Sequence, residues 1–224
     1  MGDMGKKFFN NKILFIFFFI SIILNFFLIF QNIKYQQQNQ VKVIGVIDGD
    51  TLVLENKTRL RLRHIDAPEL EFCGGKEAKE YLENLLKGKK ITIAEAISDQ
   101  KGRMMALVYL KNQLINQLLL EEGLVRYHSD KTTKTEILKQ ANLETKNKKL
   151  GIYSEKCFQK ENKENPKCNI KGNFEDKKIS KKLYYLPNCA QYEYVNVEKD
   201  LGEQWFCDEK EAIKAGYKKA KTCQ

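Results

Sequence analysis

Histidine is scarce in this sequence of 224 residues, which contains only two, and its six cysteines include no C-x-x-C pair. His64 shares the apolar face of an alternating segment with Leu60 and Leu62, so we interpret it as a core or boundary residue. His128 has no matching partner. Chemistry that depends on histidine is therefore disfavoured. The missing C-x-x-C pair argues against the ligand spacing that is usual in structural zinc sites.

Concentrated charge is also lacking. The net charge is +10, from 39 basic and 29 acidic residues, which favours anionic partners. No segment, however, forms a basic tail or a basic patch. The charge of the chain therefore permits a nucleic-acid substrate without identifying one.

One long apolar segment is present, at residues 13–30, and only Ser21 and Asn25 interrupt it. Its length is at the lower limit for a membrane-spanning helix, it has no polar face, and lysines precede it. A cleaved signal peptide is the alternative, although no small-residue cleavage site follows. We predict a transmembrane signal anchor at residues 1–34 and a polar tether at residues 35–40, with the remaining chain outside the cytoplasm.

Alternating and helical periodicities beyond residue 40 predict five short strands, with one helix after the third strand and two at the end. The strands are predicted at 41–47, 51–55, 58–65, 91–97 and 103–110, and the helices at 76–86, 114–122 and 134–149. This mixed order is typical of a β-barrel with helices (α+β), such as the OB-fold. We assign the barrel domain to residues 41–158.

A charged linker at residues 159–167 leads to a C-terminal module at residues 168–224. This module is too small to depend on a hydrophobic core alone. Cysteines in an exported chain favour disulfides, and four cysteines permit three pairings. Binding of one Zn²⁺ ion by four thiolates is the alternative. The four cysteines concerned are Cys168, Cys189, Cys207 and Cys223.

Three carboxylates follow neighbouring predicted strands. Asp50 comes after the first strand, and Asp66 and Glu69 follow the third in the sequence HIDAPE. Oxygen ligands of this kind suit a hard cation such as Ca²⁺, and a backbone carbonyl at Ala67 can add another ligand. The sequence therefore indicates an oxygen-rich pocket at the ends of these strands.

Two arginines, Arg61 and Arg103, can bring guanidinium groups to the same pocket. Carboxylates, a divalent cation and paired arginines together suit phosphodiester cleavage, because positive charge stabilises the phosphate while a carboxylate activates water. Each feature alone has an ordinary structural interpretation. An Asp-Gly pair is often only a turn, Asp66 can cap a helix, and an arginine on an alternating strand is usually solvated. The combination and its order favour a site.

The segments DGDT (48–51), RLRHIDAPE (61–69) and DQKGR (99–103) resemble the three motif blocks of the staphylococcal nuclease, or thermonuclease, family. The resemblance covers about residues 41–158. It implies an OB-fold barrel that cleaves DNA or RNA with Ca²⁺ and leaves 3′-phosphate ends. It also implies that Asp50, Asp66 and the Ala67 carbonyl bind the Ca²⁺ ion, with Asp48 as a supporting carboxylate.

By the same resemblance, Glu69 holds or deprotonates the attacking water, and Arg61 and Arg103 bind the scissile phosphate. The third block departs from the family pattern, because Lys101 stands where a tyrosine is usual. Many exported family members have paired cysteines at two corresponding places, so we expect a disulfide between Cys73 and Cys157.

We therefore expect a single-pass bacterial membrane protein whose nuclease domain acts on DNA or RNA outside the cytoplasm. A secreted form, released by signal cleavage, is the alternative location. The alternative function is a catalytically inactive nucleic-acid-binding or cell-surface interaction protein that uses the barrel as a scaffold. No obligate protein partner is indicated.

Overall fold

The computed structural model describes residues 17–28, 40–175 and 181–223, and its contacts divide the chain into two units, residues 1–40 and 41–224. In the first unit, residues 17–28 form a helix (α1) with exposed side chains. Within the described residues, no helix has the length and apolarity needed to cross a bilayer. Most of the predicted anchor and tether lies outside the described residues, so those assignments stay predictions.

The second unit begins with a closed five-stranded barrel, as the OB-fold prediction requires. Its strand order is β3-β2-β1-β5-β6, and a parallel pairing between β3 and β6 closes the barrel. The five strands are β1 (Gln40–Val46), β2 (Thr51–Leu54), β3 (Arg59–Leu62), β5 (Lys90–Ser98) and β6 (Met104–Leu110).

Alternation along the strands separates the core of the barrel from its outer surface. Leu60 and Leu62 of β3 are fully buried, whereas Arg59 is exposed and Arg61 is half-buried. Helix α2 (Gly75–Leu86) covers the core through Ala78, Leu82 and Leu86, which are spaced four residues apart on one face. The alternation along the strands and the helical spacing along α2 thus place the apolar side chains of both in one core.

Short strands and two helices complete the barrel domain. Strands β4 and β8 pair antiparallel beside the barrel. Helices α3 and α4 pack against each other and bury apolar side chains such as Leu119 and Leu138. The bounds are β4 (Ile65–Asp66), β7 (Gln113–Leu114), α3 (Ile115–Glu121), β8 (Arg126–Tyr127), α4 (Thr135–Asn147) and a 3-10 helix at Gly151–Tyr153.

The strand predicted at 58–65 is broken, because the backbone turns at His64, whose φ is +64°. This turn directs Ile65 and Asp66 away from β3 toward β8. His64 is buried, and its Nε2 is 2.7 Å from the hydroxyl of Thr132, which agrees with a structural role. Arginines on such strands are usually solvated. Arg63, in contrast, is buried and forms an ion pair with Asp130.

The C-terminal module is a four-stranded sheet with one short helix, and its strand order is β13-β10-β11-β14. Asp208 caps the helix by accepting a hydrogen bond from the N–H of Glu211. A small core that includes Phe206 and Tyr217 lies between helix and sheet. The elements are β10 (Ile170–Phe174), β11 (Lys182–Tyr185), β13 (Gln204–Phe206), α5 (Glu209–Lys214) and β14 (Lys218–Lys219), with 3-10 helices at Tyr192–Tyr194 and Lys199–Leu201.

Disulfides join all six cysteines. Cys73 pairs with Cys157, as the family resemblance predicts. Within the module Cys168 pairs with Cys207 and Cys189 pairs with Cys223, which is one of the three possible pairings. None of the six is left as a free thiol, so in this structure the module has no thiolate to offer Zn²⁺.

The predicted linker begins inside a strand. Strand β9 (Phe158–Gln159) pairs with β12 (Val197–Glu198) of the module, and the indole N–H of Trp205 donates to the Gln159 side chain at 2.8 Å. The 1–34, 35–40, 41–158, 159–167 and 168–224 divisions stay predictions. The contacts join the barrel and the module in one compact unit.

The buried carboxyl of Glu203 predicts a specific pH dependence of stability. Burial raises its pKa from 4.5 to about 7, although the N–H groups of Phe174 and Glu198 donate to it. Protonation therefore favours folding. Its contribution to the free energy of unfolding is on the order of 2–3 kcal/mol. This contribution is fully present below pH 4.5 and is lost as the pH rises through about 7.

Urea unfolding of the wild type and Glu203→Gln across this pH range measures the effect. The stability of the wild type relative to the variant should fall between about pH 4.5 and 7, because the other titrating groups are common to both proteins. Parallel pH profiles would contradict the prediction.

Candidate active site

The turn between β1 and β2 carries the first two predicted site residues. Asp48 accepts a hydrogen bond from the N–H of Asp50 at 3.1 Å, which stabilises the turn. A Cβ at Gly49 would lie 2.6 Å from the Cβ of Ala78 and 2.7 Å from that of Ala67. Only glycine therefore lets the turn pack this closely against α2 and the segment after β4.

Asp50 is a buried carboxylate, with 2% of its surface exposed. Its Oδ2 accepts from the N–H of Ala67 at 2.9 Å, and its Oδ1 accepts from the hydroxyl of Thr51 at 2.8 Å. Burial raises the pKa of Asp50 to about 7, although Arg61 and the Ala67 N–H act in the opposite direction. A carboxylate in this environment strongly favours a nearby cation.

Arg61 supplies positive charge to two carboxylates at once. Its Nη1 donates to Asp50 at 2.6 Å, and its Nη2 donates to Asp66 at 2.5 Å. Arg61 lies opposite Thr51 in the β2–β3 ladder, which directs its side chain toward the turn. Asp66 is the more accessible partner, since 48% of its side chain is exposed.

These residues surround an open cleft of about 250 Å³. Six of the seven predicted metal and catalytic residues line it. They are Asp48, Asp50, Arg61, Asp66, Ala67 and Glu69. A larger cavity of about 500 Å³ lies beside Tyr153 and Phe158, and none of the seven lines it.

Arg103 is the predicted site residue that does not line the cleft. It precedes β6 and forms an ion pair with Asp99 at 2.7 Å, and half of its side chain is exposed. Asp99 also accepts from the N–H groups of Lys101 and Arg103, so the DQKGR segment forms a tight turn around this carboxylate. The structure therefore brings one of the two predicted arginines into the cleft.

The donor atoms of the cleft fit a hard cation by their chemistry. They are oxygens of carboxylates and carbonyls, which Ca²⁺ prefers over nitrogen or sulfur. Across residues 17–28, 40–175 and 181–223, no group of three or more histidine, cysteine or acidic side chains has metal-binding geometry. In this structure the Arg61 guanidinium joins Asp50 to Asp66. The agreement between this cleft and a Ca²⁺ ion therefore rests on its oxygen donors and on the buried charge of Asp50.

Sequence reasoning did not assign four residues that line the cleft, and the first of them, Pro68, lies between the predicted residues Ala67 and Glu69. Phe72 lies in the loop after Glu69, and Asp200 and Leu201 belong to the C-terminal module. Phe72 is close to Glu69 in sequence, which is a weak signal of proximity. No sequence pattern connects residues 200 and 201 with the barrel, so only the tertiary structure identifies them.

Comparison with known proteins gives the family. A family model described as "Staphylococcal nuclease homologue" matches residues 59–155. The thermonuclease of Staphylococcus hyicus is 30% identical over 126 residues, which cover 50% of this chain and 75% of that protein. The chain belongs to the staphylococcal nuclease family. An uncharacterized endonuclease of Escherichia coli O157:H7 is also 30% identical, over 118 residues that cover 51% of this chain and 76% of that protein.

Other family members share a smaller part of their length with this chain. The staphylococcal-like nuclease CAN1 of Arabidopsis thaliana is 29% identical over 102 residues, which cover 46% of this chain and 31% of that protein. The region matched by the family model contains Arg61, Asp66, Glu69 and Arg103. It ends before the C-terminal module.

Replacement of Arg61 should reveal whether the carboxylates accept a cation. Arg61→Met leaves Asp50 buried without its ion pair, which should cost about 2–4 kcal/mol of unfolding free energy in the presence of a chelator. Calcium should stabilise this variant more than the wild type, because in the variant no guanidinium competes with calcium for Asp50 and Asp66. Arg59→Met, an exposed neighbour on the same strand, is the control.

Chemical unfolding with and without calcium measures both effects. Equal calcium stabilisation of Arg61→Met and the wild type would argue against cation binding between Asp50 and Asp66.

Proposed function

We propose that this protein is a Ca²⁺-dependent endonuclease that hydrolyses phosphodiester bonds of DNA or RNA and leaves 3′-phosphate ends. The family membership supports a nuclease function. The observation that carries the proposal is the convergence of Asp50, Arg61, Asp66 and Glu69 on one open cleft. A protein that only binds nucleic acid needs the arginine but not the carboxylates. Acidic side chains beside a polyanion are costly unless a cation lies between them, so the carboxylates favour the metal-dependent enzyme.

In the proposed site, Asp50, Asp66 and the carbonyl of Ala67 hold the Ca²⁺ ion, and Asp48 supports the turn. When bound, the ion supplies positive charge that offsets the charge of the scissile phosphate. The buried Asp50 suits this role, because a cation relieves the cost of its desolvation.

Glu69 is the proposed base. It is exposed at the cleft, where a water molecule can reach it, and it accepts the proton of the water that attacks phosphorus. The bond from phosphorus to the 5′ oxygen breaks, that oxygen takes up a proton from solvent to become a hydroxyl, and Glu69 returns its proton to solvent. The phosphate remains on the 3′ oxygen, which accounts for the 3′-phosphate end.

Arg61 and Arg103 are proposed to bind the phosphate and to stabilise the charge that develops on its oxygens. Arg61 already lies in the cleft. Arg103 is half exposed and must exchange Asp99 for the phosphate, which a surface ion pair permits at small cost. Its contribution therefore depends on a side-chain movement when substrate binds.

A location outside the cytoplasm is a further part of the proposal. It rests on the apolar segment at residues 13–30 and on three disulfides, which persist in oxidising compartments. Whether the N-terminal segment anchors the protein or is cleaved is decided by the intact mass of the mature protein.

Replacement of the proposed base tests the function. The full-length protein should cleave single-stranded DNA in calcium and not in a chelator, and Glu69→Gln should reduce kcat at least about 100-fold, as expected for loss of a general base. Glu71→Gln is the matched control, because Glu71 is exposed in the same loop and does not line the cleft.

Absence of cleavage by the folded, calcium-supplied wild type would overturn the enzyme proposal. Binding of DNA without cleavage in that experiment would instead indicate a nucleic-acid-binding protein.

A further inference from the structure

The C-terminal module reaches the candidate active site through one short turn, Lys199–Gly202. Asp200 and Leu201 of this turn line the same cleft as Asp50, Asp66 and Glu69. Asp200 is buried, and Leu201 is partly exposed. Part of the cleft wall therefore comes from outside the region that the nuclease family model matches.

Backbone hydrogen bonds attach this turn to the disulfide beside the cleft. The N–H of Cys73 donates to the carbonyl of Lys199 at 3.3 Å, and the N–H of Lys199 donates to the carbonyl of Cys157 at 2.8 Å. At Gly202, where φ is +85°, a Cβ would lie 2.5 Å from the ring of Phe72. The turn thus packs closely against the loop that follows Glu69.

The same turn supplies a partner of Arg126. Arg126 and Asp66 are direct partners in the β4–β8 ladder, so their side chains leave the sheet on the same side and begin a short distance apart. The Arg126 guanidinium nevertheless does not pair with Asp66. It donates to Asp200 at 2.5 and 2.9 Å, lies 2.5 Å from Glu198, and stacks over Tyr153 with its carbon 5.4 Å from the ring centre.

Charge explains why this arrangement matters for the cleft. A guanidinium released from the module would be beside Asp66, where it would compete with any cation for the carboxylate. Glu198 and Asp200 both belong to the module and neutralise Arg126 inside the protein. Asp200 is buried and Arg126 is largely buried, so little water screens the attraction between them.

We propose that the cysteine module is a working part of the nuclease site, in which Glu198 and Asp200 are positioning residues that hold Arg126 away from Asp66 and so keep the cation site available. This proposal rests on the proposed Ca²⁺-dependent function. In this role the module acts through its contacts with the barrel and does not need to bind a ligand itself.

The test combines loss and rescue in the full-length protein. The paired variant Glu198→Gln/Asp200→Asn removes both negative charges that hold Arg126 while keeping the shapes of both side chains. Its calcium affinity, measured by titration calorimetry, should fall about tenfold or more, and kcat on single-stranded DNA should fall with little change in KM. Adding Arg126→Met should restore calcium affinity to within about threefold of wild type, because no guanidinium remains to compete.

Two controls separate this mechanism from a general loss of structure. Asp208→Ala removes the cap of α5 in the same module without touching the cleft, and should leave calcium affinity unchanged although it destabilises the module. Asp200→Asn alone keeps Glu198 as a partner of Arg126 and should show a smaller loss in the same direction, which also serves if the paired variant does not fold.

The outcomes are distinct. The proposal is overturned if the folded paired variant binds calcium as tightly as the wild type. If the paired variant does not fold, the same result for Asp200→Asn overturns it. A loss of calcium affinity that Arg126→Met does not rescue also overturns it. If the wild type itself neither binds calcium nor cleaves DNA, the proposed nuclease function fails, and this proposal fails with it.

Discussion

The ion pairs of Arg61 connect the three parts of the sequence that form the cleft. Asp50 lies in the turn between β1 and β2, Arg61 lies on β3, and Asp66 lies on β4. Because Asp50 is almost completely buried, its charge requires a cation, and the surrounding backbone must hold that cation close. The glycine in the turn, the bend at His64 and the packing of Ala67 all support this arrangement.

A second set of ion pairs, at Arg126, extends the cleft into the C-terminal module. The barrel supplies the arginine, and the module supplies Glu198 and Asp200. The disulfide between Cys73 and Cys157 lies next to these groups and holds the loop after Glu69 against the end of the barrel domain. The barrel and the module therefore share one network of charges and backbone hydrogen bonds, although the sequence presents them as separate regions.

Much of the barrel and of the cleft could be predicted from local patterns. Alternation identified β3, and the mixed three- and four-residue spacing of apolar side chains identified α2, since both depend only on which side chains face the core. The family motifs identified Asp50, Arg61 and Asp66. The position of Arg103 could not be predicted, because a long exposed side chain has several possible partners, and its neighbour Asp99 forms the pair in this structure.

The sequence by itself determined the strands and helices of the barrel, because periodicity acts over short distances along the chain. The order of the motifs indicated the carboxylates of the cleft, and the resemblance to the family implied the disulfide between Cys73 and Cys157. Only the tertiary structure decided which cysteines of the module pair, where the chain bends at His64, and that Asp200 meets Arg126. Those contacts join residues far apart in sequence. Arg126 and Asp200 are separated by 74 positions, and no local pattern signals that they meet. Burial and charge pairing select such contacts when the whole chain packs.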